Sequence, residues 1–280
     1  MVVSGASTGI GAATARELAS MGYHVLAGVR SDQEADTIRA QGVEPVMLDI
    51  TVEAHIEALA ERISRDPEQR LLRALVNNAG IEVNAPVEVL ELDRWREQFE
   101  VNLFGHIAVI QKLLPFLRES RGRIVNISSV GGVAALPIFG AYAGTKFALE
   151  AASDSLRQEV AAQGVQVVVV QPGGVKTEMA AHSGTISLEL ADRMNAEQQH
   201  LYGDLIKSTV ASNAAFLKRA MPAEKAGEKI ARITTKPRPR TRYTLGLDAA
   251  FTVPLAHILP GRVMDRVFAA SRPRRTPSKS

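Results

Sequence analysis

The sequence predicts one α/β domain built as a doubly wound parallel sheet with helices on both faces. Three observations carry this. Short β-rich apolar runs alternate with longer helical stretches along the whole chain, the rhythm of βαβ units with right-handed crossovers. Runs such as Val165–Val170 lack period-two alternation, as expected of strands covered on both sides. No internal repeat or linker divides the 280 residues, so residues 1–280 are expected to form a single domain.

The predicted strands are Met1–Val3, His24–Val29, Pro45–Leu48, Ala74–Val76, Arg123–Ile127, Val165–Val170 and Arg242–Leu245. The first leaves only three residues before its glycine turn, so a few residues of the native strand are expected to be missing ahead of Met1. Between the strands lie predicted helices over Gly11–Met21, Glu53–Ser64, Leu92–Arg118, Tyr142–Gln163, a long region Leu188–Ala220, and Ala223–Thr234. Residues His182–Gly203 interrupt the rhythm and are expected to form a lid or binding insertion, within a substrate loop of about residues 182–220. A C-terminal extension of about residues 249–280 is expected to be a packing helix with a solvated basic tail, Arg272–Ser280. Its apolar part followed by basic residues also allows peripheral contact with an anionic membrane surface.

Composition removes several function classes. Apolar residues are 46% and charged residues 22%, enough to bury a core and too apolar for disorder. The absence of cysteine excludes disulfides, thiolate nucleophiles and thiolate metal sites. The six histidines show no metal-ligand spacing, so no metal is expected. A net charge of +3, dispersed along the chain, gives no footprint for nucleic acid. No signal peptide and no apolar run long enough to span a bilayer are present, which points to a cytoplasmic setting.

Two constellations carry chemistry. Ser4-Gly5-Ala6-Ser7-Thr8-Gly9-Ile10-Gly11 joins the first strand to the first helix, where free N–H groups face an anion and glycines admit a pyrophosphate. Its spacing differs from GxGxxG, and no Gly-Lys-Ser/Thr follows, which excludes a triphosphate loop. At the end of the second strand, Val29 stands where a ribose-binding acid is usual, and Arg30 follows. Arginine suits a 2′-phosphate, so NADP(H) is preferred; Asp32 is the competing ribose partner, which leaves NAD(H) open. Asp49, ending the third strand, is placed to accept from an adenine amino group.

The second constellation is Tyr142-Ala143-Gly144-Thr145-Lys146, a phenol and an ammonium on one helix face. A nearby cation favours the phenolate and brings a tyrosine into acid–base range. Ser128-Ser129 ends an apolar strand at the carboxyl edge, where ligands bind in open α/β sheets. No Gly-x-Ser-x-Gly elbow surrounds it, which argues against a hydrolase.

Together these residues resemble the short-chain dehydrogenase/reductase family, in the form whose core is about 250 residues, a size an undivided α/β sheet reaches. The resemblance runs in order from Ser4 to about Leu247. It takes in the glycine loop, Asp49, Asn77-Asn78-Ala79-Gly80, Asn102, Ser129, Tyr142, Lys146 and Pro172-Gly173-Gly174-Val175-Lys176-Thr177. Ser4 stands where threonine is more usual. The resemblance implies a Rossmann-like sheet of seven parallel strands in the order 3-2-1-4-5-6-7. It also implies that Tyr142 is the general acid–base and that Lys146 lowers its pKa and holds the nicotinamide ribose. Ser129, thirteen residues before the tyrosine, would orient the carbonyl, and Asn102 would anchor a water in a proton relay. Gly5, Ser7, Thr8, Gly9, Ile10, Gly11, Arg30, Asp49, Ile50, Asn77, Asn78, Ala79, Gly80, Tyr142, Lys146, Pro172, Gly173, Val175 and Thr177 would contact the cofactor.

The implied function is hydride transfer between NADP(H) and a secondary alcohol or ketone of lipophilic, steroid- or retinoid-like character. Reduction of a 3-oxoacyl thioester, broad carbonyl reduction, and non-catalytic redox sensing by dinucleotide binding are the alternatives. The resemblance further implies a homodimer or homotetramer paired through Leu92–Arg118 and Tyr142–Gln163.

Overall fold

The computed structural model describes residues 1–270. Its main sheet has seven parallel strands: β1 (Val2–Val3), β2 (Val25–Val29), β3 (Val43–Met47), β4 (Ala74–Asn77), β5 (Arg123–Ile127), β6 (Gln166–Pro172) and β9 (Arg242–Leu245). The order is β3-β2-β1-β4-β5-β6-β9 with every pairing parallel. This is the expected order, with β9 in the seventh place. Two further strands, β7 (Val175–Lys176) and β8 (Met221–Pro222), pair with each other outside the sheet.

The burial pattern explains the missing alternation. All five residues of β2 and of β5 are buried, as are Val167–Pro172 of β6. One face is covered by α1 (Gly9–Ser20), α2 (Asp32–Ile38) and α9 (Ala223–Thr235), which contribute Ala15, Leu18, Ile38, Ala226 and Ile230 to a continuous core. The other is covered by α3 (Glu53–Ser64), α5 (Gly105–Ser120) and α6 (Gly140–Glu159), with Ile56, Leu59, Leu113, Leu117 and Val160 beneath them. Each such leucine or isoleucine contributes roughly 1.5–3 kcal/mol on leaving water.

Three expectations need correction. Helix α2 was not foreseen; it is short and charged, buries only Ile38, and is capped by Ser31, whose hydroxyl accepts from Glu34 N at 3.2 Å. The helix expected over Leu92–Arg118 is α4 (Leu92–Phe99), a π-helical turn Glu100–Phe104, and then α5. The region after β7 folds as two helices, α7 (Glu178–Asp192) and α8 (Ala196–Leu217), which pack together above the sheet's carboxyl edge.

The extension forms α10 (Leu247–Ile258) and α11 (Gly261–Ala270). Helix α10 buries only Ala249 and Val253 and leaves Leu247, Phe251 and Ile258 exposed, so it packs over less of its surface than expected. The Arg272–Ser280 tail lies outside the described residues. Among the described residues, no helix is long and apolar enough to cross a membrane.

Candidate active site

Parallel strands bring β1, β4, β5 and β6 to one carboxyl edge, and the singled-out residues gather there. At the β1 exit, Gly5 has φ +59°, and a Cβ on it would stand 2.7 Å from Ala79 Cα, so only glycine allows this close crossing of two turns. Asn78 clamps the crossing: its Nδ2 donates to the carbonyls of Ser4 (3.1 Å) and Gly5 (2.9 Å). The Ser4 hydroxyl accepts from the N–H groups of Asn78 (3.0 Å) and Ala79 (3.1 Å), so the serine keeps the hydroxyl a threonine would offer. Thr8 is the N-cap of α1, yet its side chain makes no capping bond. The first N–H groups of α1 are therefore open to an anion, with Ser7, Gly9 and Ile10 part-buried around them. Thr177 caps α7 by accepting from Ala180 N (3.2 Å), and its methyl lies 3.2 Å from where a Gly9 Cβ would stand. The cradle has the shape and donors a pyrophosphate needs.

The flanking residues divide by what their side chains do. Arg30 is 64% exposed and held only loosely, its Nη2 3.9 Å from Glu34 Oε1. Asp49 Oδ1 accepts from Thr51 N (2.9 Å) and Oγ1 (2.7 Å). Burial pushes the Asp49 carboxyl up, but these bonds, with Arg30 and His55, hold it below its usual range. Asn77 is fully buried, and its Nδ2 donates to Asn126 Oδ1 at 2.9 Å; its side chain faces the interior rather than the cleft. Ile50 is buried under Gly105. Only the backbone of these two residues can serve a ligand. At the β6 exit, Gly173 leaves no room for a side chain beside the Asp248 carboxylate, which accepts from Gly174 N at 2.8 Å; Pro172 and Val175 are buried alongside.

Tyr142 and Lys146 lie one turn apart on α6, both nearly inaccessible, with Lys146 Nζ 5.7 Å from the tyrosine ring centre. Lys146 Nζ donates to the carbonyl of Ile127, at the end of β5, at 3.0 Å. Ser129 and the Tyr142 ring both lie against Gly131, and the Ser129 hydroxyl accepts from Gly131 N at 3.0 Å, whereas Ser128 is buried with its hydroxyl unpartnered. Asn102 sits fully buried in the π-helical turn, a distortion frequent at functional sites. Its amide pairs with the Ile81 backbone, accepting from the N–H (2.8 Å) and donating to the carbonyl (2.9 Å), and also donates to Thr145 Oγ1 (3.2 Å).

The electrostatics depart from expectation in one respect. Burial drives the Tyr142 phenol up, the charge of Glu82 adds to this, and neighbouring Ser129 only partly opposes them. Tyr142 is thus held as the protonated acid; the lysine's cation, engaged with Ile127, does not overturn burial. Burial lowers Lys146 to about 8, against the raising influence of Glu82 and Glu150. His106, behind the site, donates its Nε2–H to the Ala79 carbonyl (2.7 Å), and burial keeps it neutral, lowered to about 3. Glu82 is the residue that sequence reasoning missed. A lone acid two residues past the Asn77–Gly80 turn, at a strand's carboxyl end, was the available signal.

A doubly wound sheet with an uncapped glycine cradle beside a buried Tyr–Lys–Ser cluster defines an oxidoreductase of the dinucleotide-binding class. The family model for short chain dehydrogenases matches residues 1–186. The chain belongs to the short-chain dehydrogenase/reductase family. Retinol dehydrogenase 16 from Homo sapiens is 32% identical over 279 residues, covering 95% of this chain and 86% of its own. A short-chain dehydrogenase structure from Streptomyces avermitilis superimposes with a TM-score of 0.74 at 27% identity, over 96% of this chain and 94% of the other. A Beutenbergia cavernae structure described as an NAD(P)-dependent gluconate 5-dehydrogenase, with NADP bound at low occupancy, gives a TM-score of 0.64 at 29% identity, over 83% and 88%.

Proposed function

We propose that this chain transfers a hydride between NADP(H) and a secondary alcohol or ketone on a lipophilic body. The observation that carries the reading is the buried Tyr142, next to Ser129 at Gly131, one turn from Lys146 and beside the glycine cradle. The cofactor supplies the hydride when bound. Ser129 and Tyr142 hold the carbonyl oxygen, and Tyr142 Oη gives it a proton in the reductive direction. Lys146 would hold the nicotinamide ribose and, through a water anchored by Asn102, return a proton to Tyr142. Gly5, Ser7, Thr8, Gly9, Ile10 and Gly11 receive the pyrophosphate, with Thr177 beside them. Asp49, the backbone of Ile50 and the segment Asn77–Gly80 line the adenosine side, and Pro172, Gly173 and Val175 the carboxamide. Helices α7 and α8, which span most of the segment 182–220, cover the substrate. The retinol-dehydrogenase likeness supports a lipophilic substrate, and exposed Leu92, Phe104 and Phe147 on α4–α6 support a homo-oligomer paired there. An assay of NADPH oxidation against a panel of lipophilic ketones tests the reading, and no turnover across the panel would sink it.

Two results are expected. Arg30→Ala raises the NADPH dissociation constant about tenfold, because a loosely held guanidinium meets the 2′-phosphate through charge-assisted bonds. NADH, which lacks that phosphate, is nearly unaffected, and the NADPH effect shrinks as salt rises. Equal weakening of both cofactors in a fluorescence titration would mean that Arg30 supports the loop instead. For pH, Lys146 is charged below about 8 and loses its proton above it, while Tyr142 stays protonated across this range. Ketone reduction should therefore hold level below about 8 and fall above it. A profile of kcat/KM that stays level well beyond that pH would exclude the charged lysine from the reaction.

A further inference from the structure

Helix α10 carries an apolar face that the described residues leave uncovered. Leu247, Phe251, Leu255 and Ile258 follow one another at spacings of four, four and three, which puts them on one side of the helix. Each is 42–79% exposed, while Ala249 and Val253 on the opposite side are buried against the protein. The polar groups of the helix are turned back to the chain. The Asp248 carboxylate accepts from Gly174 N at 2.8 Å, and His257 Nδ1 donates to the Val253 carbonyl at 2.7 Å. A helix apolar on both sides belongs in a core or at an apolar boundary, and α10 has a core on one side only.

The residues that follow are basic. Arg262 and Arg266, one turn apart on α11, are both exposed. With Arg272, Arg274, Arg275 and Lys279 they give residues 261–280 six basic side chains against one acid, Asp265. That net +5 exceeds the +3 of the whole chain, so the rest of the molecule is slightly acidic and the positive charge is gathered directly after the apolar face. This combination selects what covers the face. The segment Arg272–Ser280 holds no large apolar side chain, so it is a poor cover for four of them. A second copy meeting through the same face would bring two sets of these cations together, and like charges oppose that contact. An anionic bilayer suits both parts: the apolar side chains enter the boundary between headgroups and acyl chains, and the cations meet the lipid phosphates and carboxylates.

We propose that α10 and the basic segment after it dock this protein on the surface of an anionic phospholipid membrane, with α10 lying in the plane of the interface. At 12 residues, about 18 Å, the helix is too short to cross a bilayer, so the contact is peripheral. The docking rests on this surface alone and stands apart from the oxidoreductase reading.

The test is co-sedimentation of the full chain with vesicles of phosphatidylcholine and phosphatidylserine in equal parts, beside vesicles of phosphatidylcholine alone. At low salt the wild type should bind the anionic vesicles about 10²-fold or more tighter than the neutral ones, and the difference should shrink as salt rises. The triple variant Leu247→Gln, Phe251→Gln, Ile258→Gln keeps every charge, and its three positions are exposed, so it should fold and bind NADPH as the wild type does. Its affinity for the anionic vesicles should fall about tenfold or more, and Phe251→Gln alone should show the same loss to a smaller extent. Sedimentation velocity without lipid should give the wild type and the triple variant the same mass. The proposal is overturned if the wild type stays in the supernatant at low salt. It is overturned equally if the triple variant binds the vesicles as tightly as the wild type, which would leave charge attraction without docking of α10. A lower mass for the triple variant would assign the face to a second copy and overturn it as well.

Discussion

Replacing Tyr142 with phenylalanine is expected to lower kcat for ketone reduction by about 10²-fold or more, the scale of a positioned acid–base group. The argument rests on how little else the change disturbs. The ring is nearly inaccessible, packed on α6 close to Gly131, and phenylalanine fills the same space. What disappears is one hydroxyl, the phenol that lies beside Ser129 and faces Lys146 on the next turn. Because burial and Glu82 hold Tyr142 in its protonated form, the wild-type residue begins the reductive direction carrying the proton it must give. The oxidative direction begins from the less favoured form, so it should gain with rising pH while reduction does not. NADPH affinity, measured by fluorescence, should stay near the wild-type value, since the ribose is assigned to Lys146. Lys146→Ala differs in both respects, weakening cofactor binding as well as turnover. Near-normal kcat in Tyr142→Phe would remove the tyrosine from the reaction.

Much of this site was legible because its residues lie at strand ends, and strand ends are where hydrophobic runs stop. The run Arg123–Ile127 ends at Ser128-Ser129, and the run before Asn77 ends at the Asn-Asn-Ala-Gly turn, so the sheet's carboxyl edge could be drawn from apolarity alone. Side-chain direction could not. Nothing in the local sequence says that Asn77 turns inward to Asn126 while Asn78 reaches across to the Gly5 carbonyl; the pairing of β1 with β4 decides it. The same holds for the π-helical turn, which keeps the apolar spacing of an ordinary helix and is set by the Asn102 amide bonding Ile81. Helix α2 escaped notice because a single buried residue, Ile38, produces no periodicity. Glu82 escaped for a related reason. Its surroundings come from α7, which follows a hundred residues later in the chain and brings Ser187 onto the carbonyl of neighbouring Asn84.

Gly11→Ala should be the most damaging single change in the cofactor cradle, raising the NADPH dissociation constant by about 10²-fold or more. In an open helix the substitution would stabilise by roughly 0.5–1 kcal/mol, because alanine surrenders less backbone freedom than glycine. Here the added Cβ would stand 2.1 Å from the Gly5 carbonyl oxygen and 2.5 Å from Asn78 Nδ2. The first is backbone, and the second is the clamp that holds the two turns together, so neither can swing aside as a flexible side chain would. The loop must move instead, and overpacking of this kind costs about 1–3 kcal/mol of stability. A displaced loop also pulls the uncapped N–H groups of α1 off the pyrophosphate. Each bond to a charged oxygen contributes about 1.5–3 kcal/mol, so losing two accounts for the hundredfold. Calorimetric titration with NADPH and a thermal melt check both parts. Gly261→Ala is the matched comparison: it also lies at the start of a helix, with nothing within 4 Å of its Cβ position, and should leave NADPH binding and the melt near wild type. If Gly11→Ala instead kept wild-type affinity in a folded protein, the turn at Ser4–Gly11 would be a packing junction and the pyrophosphate would have to lie elsewhere.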